Sequence, residues 1–218
     1  MRVLALETST SQAAVALVEH GQLVLTRAHT RPKQSAERLL PLIAELLDEA
    51  GWPRQSLDRL GVSLGPGSFT GLRVGIACAQ GLALGLDVPL VGVTALRAMA
   101  RAVPASVAGT RVALLDARRD ELFCGAYGSG SEAPELLEPI ALPRDQAQQQ
   151  LEARLSGPLV WIGSGVGLLA SAPGFSSPEA DEPSAHAVGL LAEALDPAQC
   201  PPIPVYVRDA GATLPVPR

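Results

Sequence analysis

The four residues Leu4-Ala5-Leu6-Glu7 are answered by Ala113-Leu114-Leu115-Asp116, 109 residues further along a chain of 218. Each copy is a short apolar run that closes on a carboxylate, and each opens a series of elements in the same order. Around the first copy, Val3 to Leu6, Ala13 to Val18 and Leu23 to Ala28 have the Val, Leu and Ala content of strands. The turn Glu19-His20-Gly21-Gln22 joins the last two, which predicts a three-stranded meander. The period then becomes helical over 34–50. Leu39, Leu40, Leu42, Ile43, Leu46 and Leu47 fall opposite Glu37, Arg38, Glu45, Asp48 and Glu49, and Gly51 ends the run. A strand over 59–64, a helix over 70–86, a strand over 88–93 and a helix over 94–103 capped by Thr94 complete the half.

The second series follows the small-residue stretch at 104–109. It predicts strands over 111–115, 122–127 and 136–142, a helix over 146–155, a strand over 159–163, and helices over 166–172 and 185–195. A second step also repeats, Leu64-Gly65-Pro66-Gly67 against Ile162-Gly163-Ser164-Gly165. A duplicated β-β-β-α-β-α plan is how ribonuclease-H-like and actin-like ATPase lobes are built. The expected fold is therefore α/β, with two lobes, each a mixed sheet with helices. The expected division is an N-terminal lobe over 1–104 and a smaller, degenerate C-terminal lobe over 105–218.

Composition removes several functions. Seventeen basic and 22 acidic side chains give a net charge of −5, which provides no broad phosphate-binding footprint for nucleic acid. Lys33 is the single lysine and Gln34 follows it, so no Walker-A sequence ending in Gly-Lys-Ser/Thr exists. Cys78, Cys124 and Cys200 are widely spaced and odd in number, giving neither a zinc pattern nor a disulfide framework. Val3 to Leu6 is stopped by Glu7 before it can act as a signal segment, and no run of about 18 uncharged apolar residues occurs. The chain reads as soluble and cytoplasmic.

The stretch Gly65-Pro66-Gly67-Ser68-Phe69-Thr70-Gly71 lies between a strand and a helix, where backbone N–H groups and the helix dipole can cradle an anion. Its G-x-G-x-x-x-G spacing is one residue longer than the dinucleotide fingerprint, and Pro66 removes one donor. A tight turn with Ser68 or Thr70 as N-cap is the favoured reading over phosphate binding. From Gly71 to Leu86 only Arg73 and Gln80 are polar, and they fall within about 20° of one another on the helix. The rest of the cylinder is apolar or small, with glycines at 71, 75, 81 and 85, each costing about 1 kcal/mol against alanine. The preceding helix carries an apolar arc of about 160°, wider than one sheet needs. Together the two helices point to an interface with another chain. Glu7 and Asp116 would face a central cleft, although Thr8-Ser9 and Ala117-Arg118 follow them where an actin-like phosphate loop wants glycine. His20, His29 and His186 form no helical metal pair. Ser35, Ser68 and Cys78 are possible nucleophiles without a visible base, and Arg118-Arg119-Asp120-Glu121 reads as a solvated turn of mixed charge.

The eleven residues Gly65-Pro66-Gly67-Ser68-Phe69-Thr70-Gly71-Leu72-Arg73-Val74-Gly75 resemble the signature of the TsaB (YeaZ) family, bacterial subunits of the machinery that makes threonylcarbamoyladenosine in tRNA. Further similar segments are 4–10, Arg38-Leu39-Leu40-Pro41, 92–96, 116–121 and Pro204-Val205-Tyr206-Val207-Arg208. The resemblance implies an actin-like ATPase fold. It also implies a noncatalytic subunit that docks on its paralogue TsaD, the metal-dependent transferase acting at adenosine 37 of tRNA, without TsaD's histidine metal site. TsaE joins the complex as an ATPase, a homodimer forms when TsaD is absent, and tRNA is reached only through the complex. No cofactor and no metal are expected. Ser35 replaces a histidine frequent in that family, and Glu7 replaces a frequent Asp.

Pattern and resemblance together place Leu39, Leu42, Ile43 and Leu46 of the first helix at the partner interface, with Thr70, Gly71, Val74, Gly75, Cys78 and Leu82 of the second. Glu7, Thr8, Gly65, Gly67, Ser68 and Asp116 form a candidate nucleotide cleft. Two other readings remain open. One is a small actin-fold phosphotransferase using Glu7 and Asp116 with Mg²⁺ and the 65–71 loop. The other is a self-associating scaffold unrelated to RNA.

Overall fold

A computed structural model of the chain describes residues 1–29, 35–171 and 178–207. The N-terminal meander forms as the alternation requires: β1 (Arg2–Glu7), β2 (Ala13–Glu19) and β3 (Gln22–His29) pair antiparallel. His20 and Gly21 turn between β2 and β3 with φ of 51° and 73°, the left-handed pair that a two-residue hairpin loop demands. Two parallel strands, β4 (Arg59–Ser63) and β5 (Leu90–Val93), extend the sheet on the other side of β1, giving the order β3-β2-β1-β4-β5. The register sets Leu4 beside Leu60 and Leu6 beside Val62.

Successive residues of β1 serve opposite faces. Leu4 and Leu6, with Val15, Leu17, Leu60 and Val62, bury against α1 (Ser35–Ala50) and α2 (Phe69–Leu86). Val3 and Ala5, with Val18, Val91 and Val93, meet α6 (Ala185–Ala194). Burial on both faces explains why β1 reads as a continuous apolar run.

The second sheet repeats the arrangement without a fifth strand. Its strands are β6 (Thr110–Asp116), β7 (Glu121–Tyr127), β8 (Glu135–Pro143) and β9 (Leu159–Ile162), in the order β8-β7-β6-β9, with β6 and β9 parallel. Leu96 and Met99 of α3 (Ala95–Ala102) pack on Ala113 and Leu115 from one side. From the other, Ala147 and Leu151 of α4 (Arg144–Arg154) pack on Val112 and Leu114. The duplicated α/β plan is thus present in two sheets of matching order.

Two expectations need correction. A division at 104/105 does not separate the lobes, because α3 belongs to the second sheet and α6 returns to cover the first. The chain then adds a strap, with Gly92 N–H donating to Cys200 O and Val205 N–H to Leu64 O. Of the expected helix over 166–172, whose last residue lies outside the described residues, only a single 3₁₀ turn forms, Val166–Leu168, where Gly165 before it and Gly167 within it weaken helix propagation. One further turn of helix, α5 (Pro178–Asp181), has no counterpart in the sequence reading.

Candidate partner face and interlobe cleft

The segment joining β4 to α2 is organised by contact with the end of β1. Ser68 N–H donates to Ser9 O at 2.6 Å, and the Ser68 hydroxyl accepts from Gly71 N–H at 3.2 Å, so Ser68 is the N-cap of α2. A Cβ on Gly67 would collide with Ser9 O, and one on Gly71 would collide with Thr8 O. Glycine is required here by close backbone approach. Two donors of this loop, Ser68 N–H and Gly71 N–H, are thereby used inside the chain, on Ser9 O and on the cap.

Gly75 follows the same logic one turn later. A Cβ there would run into the Thr8 hydroxyl. Gly71 and Gly75, expected to meet a partner chain, instead seat α2 on its own sheet. Leu39, Leu42, Ile43 and Leu46, also expected at the partner interface, are buried within this chain's own core between α1, α2 and the sheet, Leu46 completely. The wide apolar arc of α1 faces both the sheet and the flank of α2, and that second neighbour accounts for its width.

What remains outside is narrower. Leu40 is 56% exposed and Leu84 86% exposed. Thr70, Arg73, Ala77, Gln80, Gly81 and Gly85 share the open side of α2, and nothing lies within 4 Å of a Cβ placed on Gly81 or Gly85. Between α1 and α2 runs a groove of about 330 Å³, lined by Leu39, Leu40, Val74, Ala77, Cys78, Gly81 and Leu82. Val74, Cys78 and Leu82 are half-buried there, and burial pushes the Cys78 thiol up from its ordinary value, away from the nucleophilic thiolate. Among the described residues α2 is the one helix long and apolar enough to cross a membrane, with Arg73 as its single charge. Its inner residues Leu72, Ile76, Ala79 and Ala83 are nevertheless in the core.

At the N-terminal end of α2 the strap and the helix meet. The Arg73 guanidinium lies 3.8 Å from the centre of the Phe69 ring, Phe69 and Tyr206 are 5.4 Å apart, and Arg73 Nε donates to the Tyr206 hydroxyl at 3.3 Å. Tyr206 belongs to a tail segment that carried family likeness but no assigned place, and only its spatial return to α2 gives it one.

Beside this cluster opens a cleft of about 1090 Å³ between the two sheets, lined among others by Glu7, Thr8, Ser9, Gly67, Ser68, Asp116, Arg118 and Glu182. It brings Glu7 and Asp116 to one space, as the duplication predicts. The two carboxylates behave differently. Asp116 accepts Arg118 N–H at 2.8 Å and pairs with the Arg118 guanidinium at 3.3 Å, holding a turn in which Arg118, Arg119 and Asp120 all have positive φ. Its role is that of a turn residue.

Glu7 is 1% exposed. One carboxylate oxygen accepts Ser9 N–H. Burial raises its pKa to about 7, hydrogen bonds from the Ser9 and Ser63 hydroxyls and from the Ser9 N–H offsetting part of the shift and Glu182 adding repulsion. Glu182 is itself raised, by burial first and by Asp181 beside it. Neither Glu182 nor its place in the cleft was visible in the sequence, because no motif surrounds it. Among the described residues no three His, Cys, Asp or Glu side chains gather to hold a metal. Ser35 opens α1, and its side chain lies outside the described residues.

Comparison with known proteins gives a consistent picture. The family model of TsaD, tRNA N6-adenosine threonylcarbamoyltransferase, matches residues 28–139. The chain is 36% identical over 175 residues to the tRNA threonylcarbamoyladenosine biosynthesis protein TsaB of Escherichia coli, covering 76% of this chain and 72% of that protein. It superposes on YeaZ from Pseudomonas aeruginosa with a TM-score of 0.74 at 30% identity, over 94% of this chain and 99% of the other. Component A of the Acidaminococcus fermentans (R)-2-hydroxyglutaryl-CoA dehydratase shares the fold at a TM-score of 0.51 and 9% identity, over 89% and 98% of the two chains. With a duplicated sheet, the glycine-seated α2 and a relative matched over nearly its whole length, the chain belongs to the TsaB (YeaZ) family of tRNA threonylcarbamoyladenosine biosynthesis proteins.

Proposed function

We propose that this chain is the noncatalytic subunit of a bacterial tRNA N6-threonylcarbamoyladenosine synthase, docking on the TsaD transferase and supporting it. The observation that carries the reading is the outer side of α2. Leu84, Ala77, Gly81 and Gly85 leave an uncovered small and apolar strip next to the groove against α1, on a helix whose other side already completes its own core. An apolar strip of this kind is what a partner helix needs in order to approach closely. In this reading the partner-facing residues are Leu40, Thr70, Val74, Ala77, Cys78, Gly81, Leu82 and Leu84, with Leu39 flooring the groove. TsaE joins the complex as its ATPase, the chain pairs with itself when TsaD is absent, tRNA is reached only through the complex, and the work is done in the cytoplasm. The catalytic chemistry stays on TsaD, with no cofactor held by this chain.

The net charge of −5 favours a subunit that does not grip tRNA alone. A phosphotransferase using the 65–71 loop gains little from the geometry, since the Ser68 and Gly71 N–H groups are engaged within the chain, Pro66 offers none, and Asp116 is tied to Arg118. Sedimentation of the purified chain, alone and mixed with the TsaD paralogue of the same organism, tests the reading. A discrete heterocomplex that forms at the expense of a homodimer supports it. Unchanged sedimentation of the mixture would remove it.

A further inference from the structure

Between Gly71 and Leu86 the two polar side chains of α2, Arg73 and Gln80, both reach the strap. Gln80 Nε2 donates to Pro202 O at 3.4 Å, and Arg73 Nε to the Tyr206 hydroxyl. The strap is itself anchored on the first sheet. Val205 packs against the core that α2 covers, and Pro201 O lies 2.7 Å from where a Cβ on Gly92 would stand. Tyr206 is therefore a fixed point, and Arg73 is built against it.

The Arg73 guanidinium is held on two sides and open on the third. The Phe69 ring supports its face and Nε is used on Tyr206, which leaves the paired donors of Nη1 and Nη2. Arg73 is exposed, and among the described residues it has no ion-pair partner. Phe69 and Tyr206 line the interlobe cleft but Arg73 does not, and it is also outside the groove between α1 and α2. The fork thus belongs to the open side of α2, on the row that continues through Ala77, Gly81 and Leu84. Two donors in one plane match the two oxygens of a carboxylate. An arginine already held by a ring and a hydroxyl loses less freedom on pairing than a loose one. A phosphate would accept the same fork, but nucleic acid is gripped by several cations, and Arg73 is the single charge of α2 on a chain of net charge −5. An arginine flanked by aromatic rings and small apolar residues has the composition of a protein–protein contact.

We propose that Arg73, positioned by Phe69 and Tyr206, is the charged anchor of the partner face and takes an aspartate or glutamate carboxylate of TsaD end-on through Nη1 and Nη2. The inference rests on the reading of α2 as the helix that docks on TsaD. It gives the strap a part in that contact, because Tyr206 aims the fork.

The test titrates the full chain into the purified TsaD paralogue of the same organism by calorimetry, at low and at high salt. Arg73→Gln should weaken the complex about thirtyfold and flatten its salt dependence. Arg73→Lys keeps the charge but loses the fork, and should remain about tenfold weaker than the wild type. Tyr206→Phe should cost about threefold, since the guanidinium loses its hydroxyl partner. The Tm of each free variant should stay within about 3 °C of the wild type. Wild-type affinity in Arg73→Lys would overturn the anchor. So would a lowered Tm of free Arg73→Gln with affinity and salt dependence unchanged, the mark of a clasp that only holds the strap. Unchanged TsaD affinity with loss of tRNA binding by the assembled complex would assign the fork to phosphate and overturn it as well. Wild-type chain that associates with TsaD regardless of residue 73 removes the anchor alone; wild-type chain that does not associate removes the docking reading and the anchor together. Should Arg73→Gln fail to fold, Arg73→Lys and Tyr206→Phe decide the matter.

Discussion

The two ends of α2 carry the same residue type at the same spacing for opposite reasons. Gly71 and Gly75 stand against Thr8 and admit no side chain, while Gly81 and Gly85 have open space around them. Glycine at i and i+4 therefore says that something approaches one side of a helix, and leaves open whether that neighbour is the chain itself or another. The N-terminal half of α2 is fixed by the lobe; the C-terminal half is left open, and forms part of the proposed partner face.

Substitution can break this contrast. Gly75→Leu should have the largest effect, since the new side chain runs into the buried Thr8 side chain; a loss of about 3 kcal/mol, at the upper end of what overpacking costs, should appear in urea melts of the isolated chain. If Gly75→Leu melted like the wild type while losing its partner, the assignment of the two halves would be reversed.

The next effect belongs to Glu7. Its folded pKa of about 7 lies above the ordinary 4.5, so the folded state binds the proton more tightly than the unfolded chain. Stability is therefore fullest below about pH 4.5 and declines as pH rises towards 7, by up to about 3 kcal/mol. Glu7→Gln should remove this decline, so the variant overtakes the wild type at pH 8. Parallel curves for the two proteins across that window would contradict a carboxyl whose burial raises its pKa.

Smaller effects sharpen the other half of the helix. Leu84→Asp places a charge on an exposed position, and should leave the melting of the free chain within about 0.5 kcal/mol of the wild type. It should weaken assembly with TsaD at least tenfold, about 1.4 kcal/mol, by titration calorimetry. Gly81→Ala should stabilise the free chain by about 0.5 to 1 kcal/mol, because it meets nothing and lowers the entropy of the unfolded chain. A destabilised Gly81→Ala would mean that the open side of α2 is occupied.

The strands of both sheets were legible because burial on two faces leaves unbroken apolar runs, and the helices were legible from their period and from the caps at Ser68 and Thr94. The duplication announced itself through Glu7 and Asp116, and the cleft they share followed. Three things were not legible. The direction in which each glycine of α2 faces depends on where Thr8 ends up, 67 residues from Gly75 in sequence. The burial of Leu42, Ile43 and Leu46 depends on α2 lying alongside α1, which periodicity cannot see. The sharing of helices between lobes, α3 to the second sheet and α6 to the first, is a property of the chain's path and leaves no mark on local composition.

That exchange of helices has a consequence in time. A nascent chain that has emerged as far as Val103 already possesses β1 to β5 and both helices of the partner face. The opposite side of that sheet, formed by Val3, Ala5, Val18, Val91 and Val93, stays bare until Ala185–Ala194 is synthesised. At about 5 to 20 residues per second the ribosome exposes this apolar surface for several seconds or more. The proposed docking face is thus spelled out by the first half of the message, while the lobe that must support it is finished only near the end of translation.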